Sequence, residues 1–392
     1  MIAKSMKFVF YTNSISPHQL PLARAIINRI GEATYRYIYT VPLTAERKKL
    51  GWNEDCGAFI IAEFENRIAV RETLLNADVV MSGLRDMELF EKRMREGRKT
   101  IYSSERWFKP VLGILRLLRP SYLKMALQFV RLLRKGDKVL YYPIGMHAAR
   151  DMARLSGLFA GDLRCMFRAP AIDFEKKPGG KVWLRNRGDN KRYCLDKMRM
   201  WGYFVESSPS NEFTAQDVAR TQCGIIKVLW VGRLLDWKRV DTIVRAVCAH
   251  ANLKRVDNSL SKITLDIYGT GPEEERLKEM AHGYEDEVKF HPAVPIDRVR
   301  QLMREHDVYV LSSNAYEGWG AVVSEALEEG MKVIGTYEAG SSVTMLPESN
   351  LFHAGDWRAL KRMLERDIVS VAIDCWSARN AAKCIWEQIK DE

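Results

Sequence analysis

Residues 312–336 read SSNAYEGWGAVVSEALEEGMKVIGT, and this stretch decides the fold class. Residues 307–311, just before it, form a short segment rich in apolar and β-branched residues, which is typical of a strand in a buried parallel sheet. After Gly320 the apolar residues recur at helical spacing until Gly330, a residue type that commonly ends helices. A second buried-strand pattern follows at 332–335. The stretch therefore predicts a strand–loop–helix–strand unit of an α/β protein.

The loop of this unit suggests a binding site. Gly318 and Gly320 let backbone N–H groups approach a ligand closely, and the positive end of the following helix favours phosphate. Glu317 and Glu325 flank the loop with seven residues between them. Carboxylates repel phosphate but accept hydrogen bonds from sugar hydroxyls. Together these features predict a nucleotide-sugar site, although a solvated helix position is a second interpretation of Glu325.

The pattern E-G-x-G-x-x-x-x-E-A at residues 317–326 resembles the E-x7-E signature of retaining glycosyltransferases with the GT-B fold, family 4 type. The resemblance covers residues 225–356, which include VLWVGRLLDWKRVDTIVRAV, ITLDIYGTGPEEERLKEMA and VKFHPAVPIDRVRQLM. It implies an α/β fold with two Rossmann-like doubly wound domains facing a cleft. It also implies transfer of a sugar from a nucleotide diphosphate sugar, which would be the donor.

Two cations follow the predicted strand at 227–231, in the order G-R-x-x-x-x-K. Cations at the carboxyl end of a strand can neutralise a diphosphate and the charge that develops as it leaves. The resemblance assigns this role to Arg233 and Lys238, whereas an isolated pair would suggest surface salt bridges. The resemblance also places the nucleotide base near Val294.

In this interpretation Glu325 binds the ribose hydroxyls, and Glu317 binds the sugar together with the Gly318–Trp319–Gly320 backbone. We count Glu317, Arg233 and Lys238 as the catalytic candidates. No D-x-D pair lies where a divalent ion would bridge phosphates, so we expect no metal and no required cofactor besides the donor substrate.

The length of 392 residues suits two domains. We predict an N-terminal acceptor-side domain at 1–208, a nucleotide-sugar-binding domain at 209–375 with a linker at 207–211, and a terminal helix at 376–392 packing toward the first domain. There is no charge-free apolar run of 18 residues, and the N-terminus leads directly into a strand. We therefore expect a cytoplasmic protein.

Seven cysteines are scattered along the chain without a C-x-x-C pair. This distribution favours buried, reduced thiols over disulfides or a zinc site. The residues are Cys56, Cys165, Cys194, Cys223, Cys248, Cys375 and Cys384.

Positive charge is concentrated in the first half, where residues 1–208 carry 38 Lys or Arg and 21 Asp or Glu. The segment 107–135 contains seven bases, large apolar residues and no acid. Such a composition is typical of helices at an anionic membrane surface. A core helix pair with a basic outer face is an alternative. Nucleic acid, with Trp107, Tyr122 and Phe129 stacking on bases, fits less well because the apolar content is high.

The first half alternates predicted strands and helices, as a doubly wound sheet does. A helix start is expected at Ser16–Pro17 and an exposed loop at 164–199. The predicted strands are 7–12, 35–40, 78–81, 99–103, 138–142 and 201–205.

Polar residues after these strands are candidates for the acceptor side, because ligands of such sheets bind at the carboxyl ends of strands. The first loop lacks the glycines that the resembling family usually has, and Ser82 and Gly83 stand where many relatives have a histidine. For each candidate an ordinary structural role is the competing interpretation. The candidates are Ser16, His18, Arg85, Glu105 and His147.

The sequence thus predicts a retaining glycosyltransferase acting on a hydroxyl acceptor. The basic first half suggests a lipid-linked glycan at the inner face of a membrane, in surface polysaccharide or glycolipid synthesis. Two alternatives stay open: a catalytically silent GT-B protein that binds nucleotide or an anionic polymer, and a glycosyltransferase that modifies nucleic acid.

Overall fold

A computed structural model describes residues 6–49, 51–53, 57–186, 188–206, 224–373 and 376–390. The chain divides into two compact units, one formed by Met1–Glu206 with Cys375–Glu392 and the other by Ser207–Asp374. The predicted linker at 207–211, and with it the boundary at residue 208, lies outside the described residues.

The first unit is built on a six-stranded parallel sheet in the order β3-β2-β1-β4-β5-β6, with a separate antiparallel pair, β7 and β8. Its strands are β1 Phe8–Thr12, β2 Tyr35–Tyr39, β3 Ile60–Ala62, β4 Val79–Ser82, β5 Lys99–Ser104, β6 Val139–Pro143, β7 Ile172–Phe174 and β8 Val182–Leu184. Its helices are α1 Leu20–Ile30, α2 Ala45–Lys49, α3 Arg67–Asn76, α4 Met87–Arg95, α5 Pro120–Lys135 and α6 Met146–Leu158.

The second unit repeats this topology, with the sheet order β11-β10-β9-β12-β13-β14. Its strands are β9 Ile225–Val231, β10 Lys262–Tyr268, β11 Val288–His291, β12 Val308–Leu311, β13 Lys332–Thr336 and β14 Leu351–Phe352. Its helices are α7 Val240–Val256, α8 Glu274–Met280, α9 Ile296–Glu305, α10 Val322–Glu328, α11 Gly340–Met345 and α12 Trp357–Leu364. The last helix of the chain, α13 Ala378–Lys390, packs on α1 in the first unit.

Both sheets have the doubly wound order 3-2-1-4-5-6, so the fold class predicted from the sequence is confirmed. Every residue of β1 and of β12 is buried. A strand that is covered on both faces has a nearly continuous run of apolar residues, and this run predicts the strand at 307–311. The helix after Gly320 ends at Glu328, and Gly330 has the positive φ of 77° expected beyond a helix end.

Three local predictions for the first unit were wrong. Helix α1 begins at Leu20, because Ser16 starts a hydrogen-bonded turn before it. Residues 201–205 form no strand, and Trp201 makes only an isolated bridge to Ile144. The segment 164–199 is not an exposed loop, since it contains β7 and β8 and several buried residues, Cys165, Ile172, Val182, Tyr193, Cys194, Leu195 and Met198 among them.

The segment 107–135 contributes its aromatic residues to the core of the first unit. Trp107 and Phe129 are both 0% exposed and stack with ring centroids 5.4 Å apart. The Tyr122 hydroxyl donates a hydrogen bond to the Trp107 carbonyl. Trp107 and Phe129 are therefore core residues, as the alternative interpretation expected, whereas Tyr122 is half-buried. Large apolar residues that remain exposed in this segment are Val111, Leu115, Leu118 and Leu127.

Within the described part of the chain, no helix combines the length and apolar character needed to cross a bilayer. The described cysteines carry free thiols, and Cys165, Cys194 and Cys248 are buried. Cys56, Cys223 and Cys375 lie outside the described residues.

Candidate functional site

The point where strand order reverses lies between β9 and β12 in the second unit. Ligands of open α/β sheets bind at such a point, outside the carboxyl ends of the strands. Two loops leave these ends: residues 232–239, which lead to α7, and residues 312–321, which lead to α10. We call them the first loop and the second loop.

The backbone of the first loop is fixed against the neighbouring strand end. The Gly232 amide donates to the Tyr268 carbonyl (3.0 Å), and the Leu234 amide donates to the Thr270 carbonyl (2.9 Å). A Cβ atom at Gly269 would lie 1.8 Å from the Gly232 oxygen. Such a contact is impossible, so this close approach requires glycine. The G-x-G at 269–271 thus holds the loop that carries Arg233.

Arg233 itself is exposed, and its side chain has no hydrogen bond or ion pair with any described residue. A guanidinium group at the carboxyl end of β9 that has no carboxylate partner is available to an anionic ligand. It lies on the same loop as Lys238, five residues earlier in the chain.

Lys238 joins the two loops. Its Nζ lies 2.5 Å from Oε2 of Glu317, and the two side chains are only 20% and 12% exposed. The Ser313 hydroxyl donates to the same carboxylate oxygen at 2.8 Å. The Ser312 hydroxyl donates to the Lys238 carbonyl (2.7 Å), and the Asn314 amide donates to the Trp237 carbonyl (2.9 Å). These hydrogen bonds between the first and the second loop therefore fix the positions of Lys238 and Glu317.

The glycine segment of the second loop rests on the start of α11. The amides of Gly340 and Ser341 donate to the carbonyls of Gly318 and Trp319 at 3.0 and 2.8 Å. Gly320 has a φ of 81°, which favours glycine. Trp319 is 1% exposed, so this residue is part of the core beneath the second loop.

Glu325 lies in the first turn of α10 and is 7% exposed. The interpretation of Glu325 as a solvated helix residue is therefore wrong. Burial raises the pKa of Tyr309 well above its ordinary value, and the charges of Glu325 and Glu317 raise it further. Both carboxylates thus lie near the Tyr309 hydroxyl, which donates to the Val231 carbonyl at 3.3 Å. The structure brings Glu317, Glu325 and Lys238 to the end of β9.

Val294 is half-buried on the loop after β11, which ends at the same edge of the sheet as β9. The Gly269 amide donates to the His291 carbonyl at 3.1 Å and links that loop to the G-x-G turn. Val294 is thus separated from the Lys238–Glu317 pair by the end of β10.

In the first unit, Tyr203 connects two of the acceptor candidates. Its hydroxyl donates to the Glu105 carboxylate at 3.3 Å, and its ring lies 6.5 Å from the ring of His18. Burial raises the pKa of Tyr203 well above its ordinary value, and the charge of Glu105 raises it further. These residues form a polar group at the carboxyl ends of β1 and β5.

The other acceptor candidates are Ser16, Arg85 and His147. Ser16 accepts a hydrogen bond from the His18 amide at 3.3 Å. The Arg85 guanidinium lies 4.4 Å from the centre of the Trp107 ring, and its Nε donates to Tyr102. His147 lies in the first turn of α6 and is half-buried.

Three residues that contact or lie near the candidate residues were not predicted from the sequence: Ser313, Tyr309 and Tyr203. Ser313 follows the carboxyl end of the predicted strand at 307–311, which is a signal for a site residue, whereas Tyr309 lies within that strand. Tyr203 gave no such signal, since its segment had been interpreted as a strand.

Residues 221–368 match the model of the family described as glycosyl transferases group 1. An uncharacterized glycosyltransferase of Methanocaldococcus jannaschii is 30% identical over 123 residues, 31% of this chain and 30% of that relative. The GtfA subunit of a UDP-N-acetylglucosamine–peptide N-acetylglucosaminyltransferase of Streptococcus pneumoniae is 31% identical over 111 residues, 28% of this chain. The chain spans 30% and 20% of the lengths of these curated relatives.

Solved structures resemble the whole chain at low identity. Anabaena Alr3699/HepE in complex with UDP has a TM-score of 0.62 at 14% identity, over 99% of this chain and 100% of that one. The lipopolysaccharide outer core galactosyltransferase WaaB has a TM-score of 0.52 at 14% identity, over 97% and 95%. The chain therefore has the two parallel-sheet α/β domains of the GT-B fold, and the family match falls on its second unit.

Proposed function

We propose that the protein is a retaining glycosyltransferase of the family 4 type, which transfers a sugar from a nucleotide diphosphate sugar to a hydroxyl acceptor. The observation that carries the proposal is the grouping of Lys238, Glu317 and Glu325 at the β9–β12 switch point of a group 1 domain. A nucleotide sugar needs cations for its diphosphate and acceptors for its hydroxyls, and this group supplies both.

Each residue has one role in this proposal. Arg233 and Lys238 bind the diphosphate and stabilise the negative charge that develops on it as the sugar–phosphate bond breaks. Glu317 accepts hydrogen bonds from the sugar hydroxyls, and Glu325 accepts them from the ribose. We propose that the reaction needs no divalent ion, because Arg233 and Lys238 neutralise the diphosphate that leaves.

The donor is proposed to carry uridine, which fits the UDP and UDP-glucose complexes of Anabaena Alr3699/HepE, a structure with the same fold. The base would lie beside Val294, where the loop after β11 presents backbone groups to its edge.

The acceptor is proposed to bind the first unit, at the polar group of His18, Glu105 and Tyr203. A lipid-linked glycan in surface polysaccharide or glycolipid synthesis fits the excess of Lys and Arg in residues 1–208. Val111, Leu115 and Leu118 are exposed beside Arg116 and Arg119, and such a basic apolar surface would attach the protein reversibly to the inner face of a membrane.

Release of free sugar from radiolabelled nucleotide sugars tests the enzymatic proposal, because slow hydrolysis without an acceptor requires catalysis. We expect release from at least one nucleotide sugar and its loss in the Arg233→Ala variant. Binding of nucleotide without any release would instead support the catalytically silent alternative.

A further inference from the structure

Three arginines of the first unit lie close together, and we call them the arginine cluster: Arg106, Arg150 and Arg185. Arg106 follows β5, Arg150 lies on α6, and Arg185 follows β8. Burial lowers the pKa of Arg150, and the nearby positive charges of Arg185 and Arg106 lower it further. Arg106 pairs with Asp151, the residue that follows Arg150 on α6, and Arg185 pairs with Asp173, whose charge also acts on Arg150. The fold thus brings together cations from three separate elements, although like charges repel each other.

The carboxylates near the arginine cluster compensate it only in part. Nη2 of Arg185 lies 3.0 Å from Oδ1 of Asp173, which is a direct ion pair. Nε of Arg106 lies 3.6 Å from Oδ2 of Asp151, beyond hydrogen-bond distance. That Asp151 oxygen already accepts a hydrogen bond from the Phe108 amide at 2.9 Å. Two carboxylates thus face three guanidinium groups, and Arg150 has no ion pair with a described residue.

Donor groups of the arginine cluster remain unsatisfied within the described part of the chain. The Arg106 Nε is buried and has no hydrogen-bond partner there. The half-buried Arg150 side chain likewise has no hydrogen bond or ion pair with a described residue. A buried donor without a partner is costly, and a buried unpaired charge more so. Folds that retain such groups commonly use them to bind a ligand.

We propose that the arginine cluster binds a phosphate or diphosphate group. Such a group offers several acceptor oxygens, so that it can serve the forks of Arg106 and Arg150 at once. Arg185 is exposed and lies at the outer side of the site, where it would meet the incoming anion. If the proposed function holds, the anion is part of the acceptor, which would be a sugar phosphate or a lipid-linked diphosphate; that assignment rests on the proposed function, whereas the anion site does not.

Calorimetric titration of the full chain with inorganic pyrophosphate tests the site. Arg233 and Lys238 would also bind this probe, so the titration is carried out on the Arg233→Ala, Lys238→Ala protein. We expect Arg150→Gln or Arg106→Gln in this background to weaken binding about tenfold, the effect of losing a hydrogen bond to a charged group. The matched control is Arg29→Gln, which removes an exposed arginine at the end of α1.

A variant with the opposite effect separates binding from misfolding. Asp173→Asn removes the carboxylate that neutralises Arg185, so pyrophosphate should bind several-fold more tightly. A folding defect cannot produce that gain. The proposal is overturned if Arg150→Gln, Arg106→Gln and Asp173→Asn all behave like Arg29→Gln.

Competition identifies the source of the phosphate group. Glucose 6-phosphate and farnesyl diphosphate are each added to the pyrophosphate-bound protein. Displacement by either supports the proposal and names the acceptor class, whereas failure of both shows an adventitious ion only. Stabilisation of the wild-type chain by nucleotides is measured separately, so failure of the donor site is not confused with failure of this one.

Discussion

Lys238 Nζ and Glu317 Oε2 are 2.5 Å apart although Glu317 lies 79 positions after Lys238 in the sequence. The pair joins the two loops that leave the neighbouring strands β9 and β12. The Glu317 carboxylate neutralises the lysine, so a diphosphate that binds Lys238 must compete with Glu317. Because the two residues pair with each other, substitution of Glu317 and substitution of Lys238 should change UDP binding in opposite directions.

Glu317→Gln should bind UDP several-fold more tightly, because Lys238 is then free to pair with phosphate. Turnover should fall about 100-fold or more, since the sugar loses a charged acceptor in the transition state. Titration calorimetry and the sugar-release assay measure the two effects. Weaker UDP binding by this variant would contradict the assigned roles.

Lys238→Ala should weaken UDP binding about tenfold, because a charge-assisted contact to phosphate is lost. Lys332→Ala is the matched control. Lys332 also pairs with a carboxylate, Asp367 at 2.8 Å. It is the first residue of β13, so it lies at the amino end of its strand, whereas the candidate site lies at the carboxyl ends. Equal losses in both variants would show a general charge effect and no diphosphate site.

Glu325→Gln should reduce the preference for ribose. The wild-type protein is expected to bind UDP more tightly than its 2′-deoxy analogue, since the buried carboxylate accepts from the ribose hydroxyls. In the variant the ratio of the two dissociation constants should approach one. An unchanged ratio would remove Glu325 from the site.

Gly271→Ala should destabilise the protein by about 2 kcal/mol or more, because the new Cβ would lie 2.3 Å from the Leu234 oxygen. The shift of the first loop should also weaken UDP binding through Arg233. Gly283→Ala is the control: it has a φ of 82° but no atom within 4 Å of the new Cβ, so it adds only backbone strain. Urea unfolding of both variants distinguishes steric overlap from strain.

Asp151 should make stability depend on pH in a recognisable way. Burial raises its pKa from 3.8 to about 6, against the opposing charge of Arg106. The folded state therefore holds this proton more tightly than the unfolded state, and the resulting stabilisation is lost as the pH rises from about 4 to about 6. Over that range the wild-type protein should lose about 3 kcal/mol relative to Asp151→Asn. Parallel urea-unfolding results for the two proteins at pH 4 and pH 7 would contradict this.

The structural features that depend on neighbouring residues in the chain were predicted correctly. The strand–loop–helix at 307–330 has a fully buried strand and a glycine-ended helix, and both features are visible in consecutive residues. The pairing of Lys238 with Glu317 was not predicted, because it depends on which strands are neighbours.

Composition alone does not distinguish a buried aromatic residue from one at a membrane surface. Trp107 and Phe129 are as apolar as membrane anchors, yet they fill the core. Likewise, the aromatic run at 201–205 resembles a strand, but Trp201 packs its ring 4.8 Å from that of Tyr142 and the chain makes only an isolated bridge. Tertiary packing decided both cases.

The most direct test of the account is a thermal-shift screen of the wild-type protein against UDP-, GDP-, ADP- and TDP-sugars. A ligand at 100 times its dissociation constant stabilises a protein by about 2.7 kcal/mol, which gives a clear increase in Tm. We expect the UDP-sugars to raise the Tm, and we expect the Arg233→Ala and Glu325→Ala variants to reduce that increase. If no nucleotide sugar raises the Tm, or if both variants retain the full increase, the β9–β12 switch point of the second unit is not a donor site.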